Sequence, residues 1–119
     1  DLDGNQFSGT IPTEFGKMTN LEYLNFYDNQ LSGTIPTELG IMTKLTALDL
    51  DGNQLSGTIP TEFGKMTNLE YLDFSNNDLT GNVDSIFCQP LQIIYQVSIS
   101  GNENLNCSCC DTVEGYYYN

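Results

Sequence analysis

One stretch of this chain is written twice. DGNQFSGTIPTEFGKMTNLEYL at 3–24 returns as DGNQLSGTIPTEFGKMTNLEYL at 51–72, and only Phe7 against Leu55 differs. A third version, DNQLSGTIPTELGIMTKLTALDL, lies between them at half that distance, so the period is 24 residues. Asn5, Asn29, Asn53 and Asn77 mark it, and Asn102 follows one residue late. A fixed period in this range means that each unit is a small supersecondary element that cannot bury its apolar face alone and must stack on its neighbours.

Aligned on the asparagines, each unit reads L-x-x-L-x-[LF]-x-x-N-x-[LF]-[ST]-G. Leu21, Leu24, Phe26, Asn29 and Leu31 fill one copy. Leu45, Leu48, Leu50, Asn53 and Leu55 fill the next, and Leu69, Leu72, Phe74, Asn77 and Leu79 a third. The last copy uses β-branched residues, with Ile94, Val97, Ile99 and Asn102 at the same offsets. The L-x-[LF] step alternates with period two and predicts a short strand with one face buried. Stacked strands of this kind make a parallel sheet along a continuous core. The asparagine stands where the chain leaves the strand, and its amide can both donate to and accept from buried backbone groups there. The glycines at 9, 33, 57 and 81 suit positive φ or close approach of another backbone. Pro12, Pro36 and Pro60 fix φ on the far side of each coil.

The unit, with its L-S-G-T-I-P segment, resembles the plant-type leucine-rich repeat, strongly over 1–82 and more loosely over 83–110. The resemblance implies a right-handed leucine-rich repeat solenoid with parallel strands on a concave face and a further short β-segment near G-x-I-P. It also implies a non-catalytic extracellular module, secreted or the ectodomain of a membrane-anchored protein, that binds a protein, peptide or glycan. The NCSCC segment resembles the cysteine-bearing caps of secreted members, and in style those of diatoms and algae. The expected division is 1–82 for the repeats, the first truncated, and 83–119 for a last repeat, cysteine cap and aromatic tail. Leu2 falls in mid-strand, so further repeats or another subunit are expected to cover the first coil.

The four cysteines, Cys88, Cys107, Cys109 and Cys110, crowd one end. They predict a disulfide clasp in an oxidising compartment, with a zinc site as the rival. A vicinal Cys109–Cys110 bridge is strained and Cys107–Cys109 closes a very small ring, so Cys88–Cys109 with Cys107–Cys110 is the expected pairing. Asn106-Cys107-Ser108 is a glycosylation sequon.

The chain carries 16 Asp plus Glu against 3 Lys plus Arg and no His, a formal charge of -13. Nothing here could neutralise phosphates, which excludes nucleic acid as a partner and favours a cationic one. No apolar run approaches a membrane span. Without His, a G-x-S-x-G elbow or a phosphate-binding glycine loop, the sequence calls for neither an enzyme nor a cofactor. Asp49 and Asp73 could mimic an acid/base pair, but no apolar neighbour in sequence would raise either pKa.

Between the buried strand positions lie three outward rows. Six residues before each Asn stand Tyr23, Ala47, Tyr71 and Gln96; four before, Asp1, Asn25, Asp49, Asp73 and Ser98; two before, Asp3, Tyr27, Asp51, Ser75 and Ser100. Tyr23, Tyr27 and Tyr71 thus flank Asp49, Asp51 and Asp73, a recognition patch of rigid aromatic area and carboxylates. The same three carboxylates offer at most a weak shared cation site. DLDGN at 49–53 is not a helix–loop–helix calcium loop, because Gln54 and Pro60 stand where Gly and Glu are needed. On the opposite side, Thr10, Thr34 and Thr58, Thr13, Thr37 and Thr61, and Glu14, Glu38 and Glu62 form rows. The threonines make ice binding an alternative function, and a structural or adhesion scaffold is another.

Overall fold

The structure, a computed structural model, describes residues 1–88 and 96–108. Each coil after the first contributes two strands, the first contributes one, and the strands form two parallel sheets. One sheet joins β2 (Tyr23–Asn25), β4 (Ala47–Asp49), β6 (Tyr71–Asp73) and β8 (Gln96–Ser98) in that order. The other joins β1 (Ser8–Gly9), β3 (Gln30–Thr34), β5 (Gln54–Thr58), β7 (Asp78–Asn82) and β9 (Asn104–Asn106). The first is the sheet expected from the L-x-[LF] step, and the second is the further β-segment that the resemblance implied. The register follows the asparagine alignment: Tyr23 pairs Ala47, which pairs Tyr71, which pairs Gln96. Leu2 lies in no strand, although its N–H donates to the Asn25 carbonyl (3.0 Å) and Gly4 N–H to that of Tyr27 (2.8 Å). Two such bonds are too few to make a ladder.

Between the sheets each coil closes through a five-residue 3-10 turn, Thr13–Lys17, Thr37–Ile41 and Thr61–Lys65, each preceded by the proline with φ near −60° (−64°, −64° and −60°). The sequence pattern carries no helical signal here, because five residues are shorter than two helical periods. In the last coil, where Val83–Asp84 replaces I-P, a short helix α1 (Asp84–Phe87) takes that place.

The core is one column. Leu39, Met42, Leu45, Leu48, Leu50, Leu55, Phe63, Met66, Leu72 and Phe74 are fully buried in its middle. At the first coil the equivalent positions open out: Phe7 is 46 % and Met18 47 % exposed. Val97 is buried and Ile99 partly so, as expected for the last copy, while Ile94 lies outside the described residues.

The asparagines join the coils. Asn53 Nδ2 donates to its own Leu50 carbonyl (3.1 Å) and to the Phe26 carbonyl one coil earlier (3.0 Å), while its Oδ1 accepts from Leu31 N–H (3.0 Å). Asn77 and Asn102 repeat the pattern, and each shared carbonyl therefore serves two asparagines. The glycines behave as expected. Gly57 has φ +76°, and a Cβ added there would meet Thr34 Cγ2 at 3.0 Å; Gly33 stands likewise under Thr10, and Gly81 under Thr58. One row of threonines thus has a packing role, its methyls covering the glycines of the next coil.

Candidate recognition face

The outward rows of the four-stranded sheet are built by the strand alternation, which sends Leu24, Leu48, Leu72 and Val97 inward and their neighbours outward. Tyr23 is 68 % and Tyr27 43 % exposed; Tyr71, Asp49, Asp51 and Asp73 are half-buried. All six expected patch residues therefore lie on this face, but not as one cluster.

The four-back row has a local task first. Asp49 Oδ1 accepts from Asp51 N–H (3.0 Å), Asp73 Oδ1 from Ser75 N–H (2.8 Å), Asn25 Oδ1 from Tyr27 N–H (2.8 Å) and Asp1 Oδ1 from Asp3 N–H (3.2 Å). These Asx turns end the strands. The interchange of Asn and Asp in this row is the sequence signal for them, since both supply the acceptor oxygen and only one carries charge.

The second carboxylate oxygens turn toward Tyr71. Its hydroxyl lies 3.3 Å from Asp49 Oδ2 and 3.4 Å from Asp73 Oδ2. One phenolic proton cannot serve both at once. Burial, with Asp73 adding to it, raises the Asp49 carboxyl above its ordinary value despite the bond from Asp51 N–H. Burial and the two carboxylates also raise the Tyr71 hydroxyl. No apolar sequence neighbour was expected to raise an Asp49 pKa; the rise comes instead from burial in the stacked sheet, with Asp73 of the neighbouring strand adding to it, and linear sequence shows neither.

Asp51 stands apart, accepting from Asn76 Nδ2 at 2.8 Å. The three carboxylates named for a weak cation site are therefore not gathered on one point. Ser75 and Ser98, expected to face outward, are buried. Their hydroxyls bond each other, and Ser100 Oγ donates to Ser75 Oγ (3.2 Å). These short side chains satisfy one another within the sheet, so that end of the face offers a ligand little.

Toward the other end, Ala47 leaves a gap in the row between Tyr23 and Tyr71. The resulting cavity, about 340 Å³, is lined by Asp1, Tyr23, Leu24, Asn25, Ala47, Asp49 and Tyr71. All three cations of the chain lie off this sheet: Lys17 and Lys65 end 3-10 turns, and Lys44 precedes β4 and donates to Asn20 Oδ1 (2.8 Å).

At the far end, Cys88 and Cys107 are both disulfide-bonded. Their sulfurs lie near the Asp84 carboxylate, the one such convergence of potential metal ligands among the described residues. Sulfur held in a disulfide has no thiolate charge to give a zinc ion. Cys109, Cys110 and the aromatic tail lie outside the described residues. Ser108 donates through its N–H to Asp84 Oδ1 (2.7 Å) and through its hydroxyl to Asp84 Oδ2 (2.6 Å), which holds the Asp84 carboxyl below the usual range. Asn106 is exposed at the end of β9. Among the described residues no helix is long and apolar enough to cross a membrane.

Leucine rich repeat family models match residues 1–55 and 68–90. Among solved structures, the BIR2 ectodomain from Arabidopsis thaliana is 34 % identical with a TM-score of 0.78, over 89 % of this chain and 55 % of that one. The plant peptide hormone receptor RGFR1, in complex with RGF2, is 40 % identical with a TM-score of 0.83, over 88 % of this chain and 17 % of that one. The ectodomain of the Arabidopsis receptor kinase HAESA, in complex with an extended IDA peptide hormone, is 37 % identical with a TM-score of 0.76, over 97 % and 18 %. No curated protein matches the chain. The chain thus spans little more than half of the BIR2 ectodomain and under a fifth of the two peptide-bound receptors. With its repeats in register, its asparagine ladder and these relatives, the chain belongs to the leucine-rich repeat family, in its plant-type form.

Proposed function

We propose that this chain is a non-catalytic, extracellular recognition module that binds an extended peptide or protein segment across β2, β4, β6 and β8. The observation that carries it is the Tyr23–Ala47–Tyr71 row, Tyr23 exposed and the other two half-buried, running beside Asn25, Asp49 and Asp73 on a sheet face free of lysine. Tyrosines provide rigid contact area at low entropic cost, and carboxylates orient donors. Several similar structures are of peptide hormone receptors or hold peptide hormones, which supports a peptide over a glycan. On this reading 1–82 is the working surface and 83–119 closes the core, with Cys88–Cys109 and Cys107–Cys110 as the pairing and Asn106 as a glycan acceptor.

The test is selection from a displayed library of extended peptides, with Tyr27→Ala, Asp49→Asn and Asp73→Asn combined as the counter-target. Selected peptides should bind the variant at least about tenfold more weakly, a loss of roughly 1.4 kcal/mol. Equal binding to both would remove the face from consideration.

A further inference from the structure

We propose that the slot above Ala47 receives the guanidinium of an arginine from an extended peptide. This rests on the sheet face being the peptide-binding surface, and it names the side chain that the face selects.

The slot is defined by register. Tyr23, Ala47 and Tyr71 stand side by side on three adjoining strands. Adjacent strands lie about 4.8 Å apart, so the two tyrosine strands are separated by roughly 9.6 Å. A flat group at mid-slot stands about 4.8 Å from each of the two tyrosine strands, room for a planar group between the two side chains. The alanine methyl supplies a floor and no wall.

The charge is defined by Asp49. Its Oδ1 is committed to the Asp51 N–H, and its Oδ2 shares a single phenolic proton with Asp73. Its carboxylate lines the cavity, is half-buried and has no lysine or arginine on its sheet. A ligand cation that donates to Oδ2 would relieve this under-supplied group. A divalent ion is less suited, because Asp51 is turned away to Asn76. An ammonium is a strongly hydrated point charge, whereas a guanidinium is planar, weakly hydrated and stacks on aromatic faces. The slot asks for the second.

Two substitutions are supplied by the repeat itself. Asn25 occupies the Asp49 position one coil earlier and makes the same backbone bond, so Asp49→Asn keeps the turn and removes the charge. Tyrosine occupies the Ala47 position in both flanking coils, so Ala47→Tyr fills the slot with a residue that the row already accepts.

The experiment is an NMR titration of the full chain with acetyl-Gly-Arg-Gly amide and with its citrulline counterpart, which keeps the shape and loses the charge. The arginine peptide should shift the Ala47 methyl and the Tyr23 and Tyr71 ring signals at millimolar concentration. Citrulline should bind about tenfold more weakly, as should arginine to Asp49→Asn. Ala47→Tyr should abolish the arginine-dependent shifts while signals of the core leucines stay in place. Equal shifts from arginine and citrulline would overturn the guanidinium assignment and leave peptide binding by the face standing. Shifts away from Ala47, none at all, or shifts unmoved by Ala47→Tyr would overturn the slot. Loss of the whole face as a binding surface is read separately, by the selected peptides and the triple variant.

Discussion

Asn53→Ala tests what holds the coils together. Asn53 is buried, and its amide meets three backbone groups of buried residues. Truncation orphans the Leu31 N–H, which costs about 1–3 kcal/mol for an unsatisfied buried donor. The Phe26 carbonyl keeps a bond from Asn29, and the Leu50 carbonyl keeps one from Asn77, so each loses one donor of two. At about 0.5–1 kcal/mol for each such loss, the sum is roughly 2–5 kcal/mol. Set against a total stability of about 5–15 kcal/mol, that is a large share. Asn5→Ala is the internal control. Asn5 is exposed and bonds only its own coil, at Leu2 and Asp3, so its loss should cost under about 1 kcal/mol.

Urea unfolding followed by far-UV circular dichroism gives both values, since the chain has no Trp to report by fluorescence. Amide exchange adds the local measurement. Leu31 should lose protection in Asn53→Ala, while Leu55, whose N–H is held by Asn77, should keep it. If Leu31 stays protected, or if the two substitutions cost the same, the asparagines are not the inter-coil ties described here.

Gly57→Ala forces an L side chain to φ +76° beneath Thr34 and should destabilise by at least about 1–2 kcal/mol in urea. Adding Thr34→Ser should recover the contact share but not the backbone share, and full recovery would show that φ is not the cause. Asp49→Asn should raise the melting temperature at neutral pH. A carboxyl raised in the folded state contributes stability that is lost as pH rises through its folded value, so the gap should close below about pH 4, where the unfolded carboxyl also holds its proton. Asp84 runs the other way: Ser108 depresses its pKa, so its contribution is present above the ordinary carboxylate range and lost as pH falls through the folded value. The Ser108 amide should lose exchange protection on acidification, and in Asp84→Ala it should lack it at every pH.

Much of this was legible because buried positions in a stacked coil leave little choice. The period, the register of the outward rows and an Asn at each turn all follow from spacing that any window of the chain displays. The Asx turns at Asp1, Asn25, Asp49 and Asp73 were legible in principle through the Asn/Asp exchange. So was the left-handed residue before each asparagine, where Gly4, Asp28, Gly52, Asn76 and Gly101 all have positive φ. Those three residue types are the ones that visit that region most readily. What spacing could not show is competition between groups 22 or more residues apart: Asn76 drawing Asp51 away, Ser75 closing on Ser98, and Tyr71 reaching Asp49.

The near-identity of 3–24 and 51–72 then acquires a physical reading. Phe15 meets Phe26 edge-on at 5.2 Å, and Phe63 meets Phe74 at 5.7 Å. Between these aromatic layers the same two positions are Leu39 and Leu50. Over these coils large layers alternate with smaller ones, which lets them interdigitate at interior density. Buried positions must keep to this alternation, because a change of volume there costs stability. Outward positions answer to no such demand. Tyr23 and Tyr71 belong to the duplicated stretch, and Ala47 belongs to the coil between. The break in the row is therefore affordable structurally and coincides with the cavity on the sheet face that has Asp1, Asp49 and two tyrosines in its walls. In a chain this regular, recognition has to reside where the copies differ, and on this face Ala47 between two tyrosines and Tyr27 between two aspartates are such places.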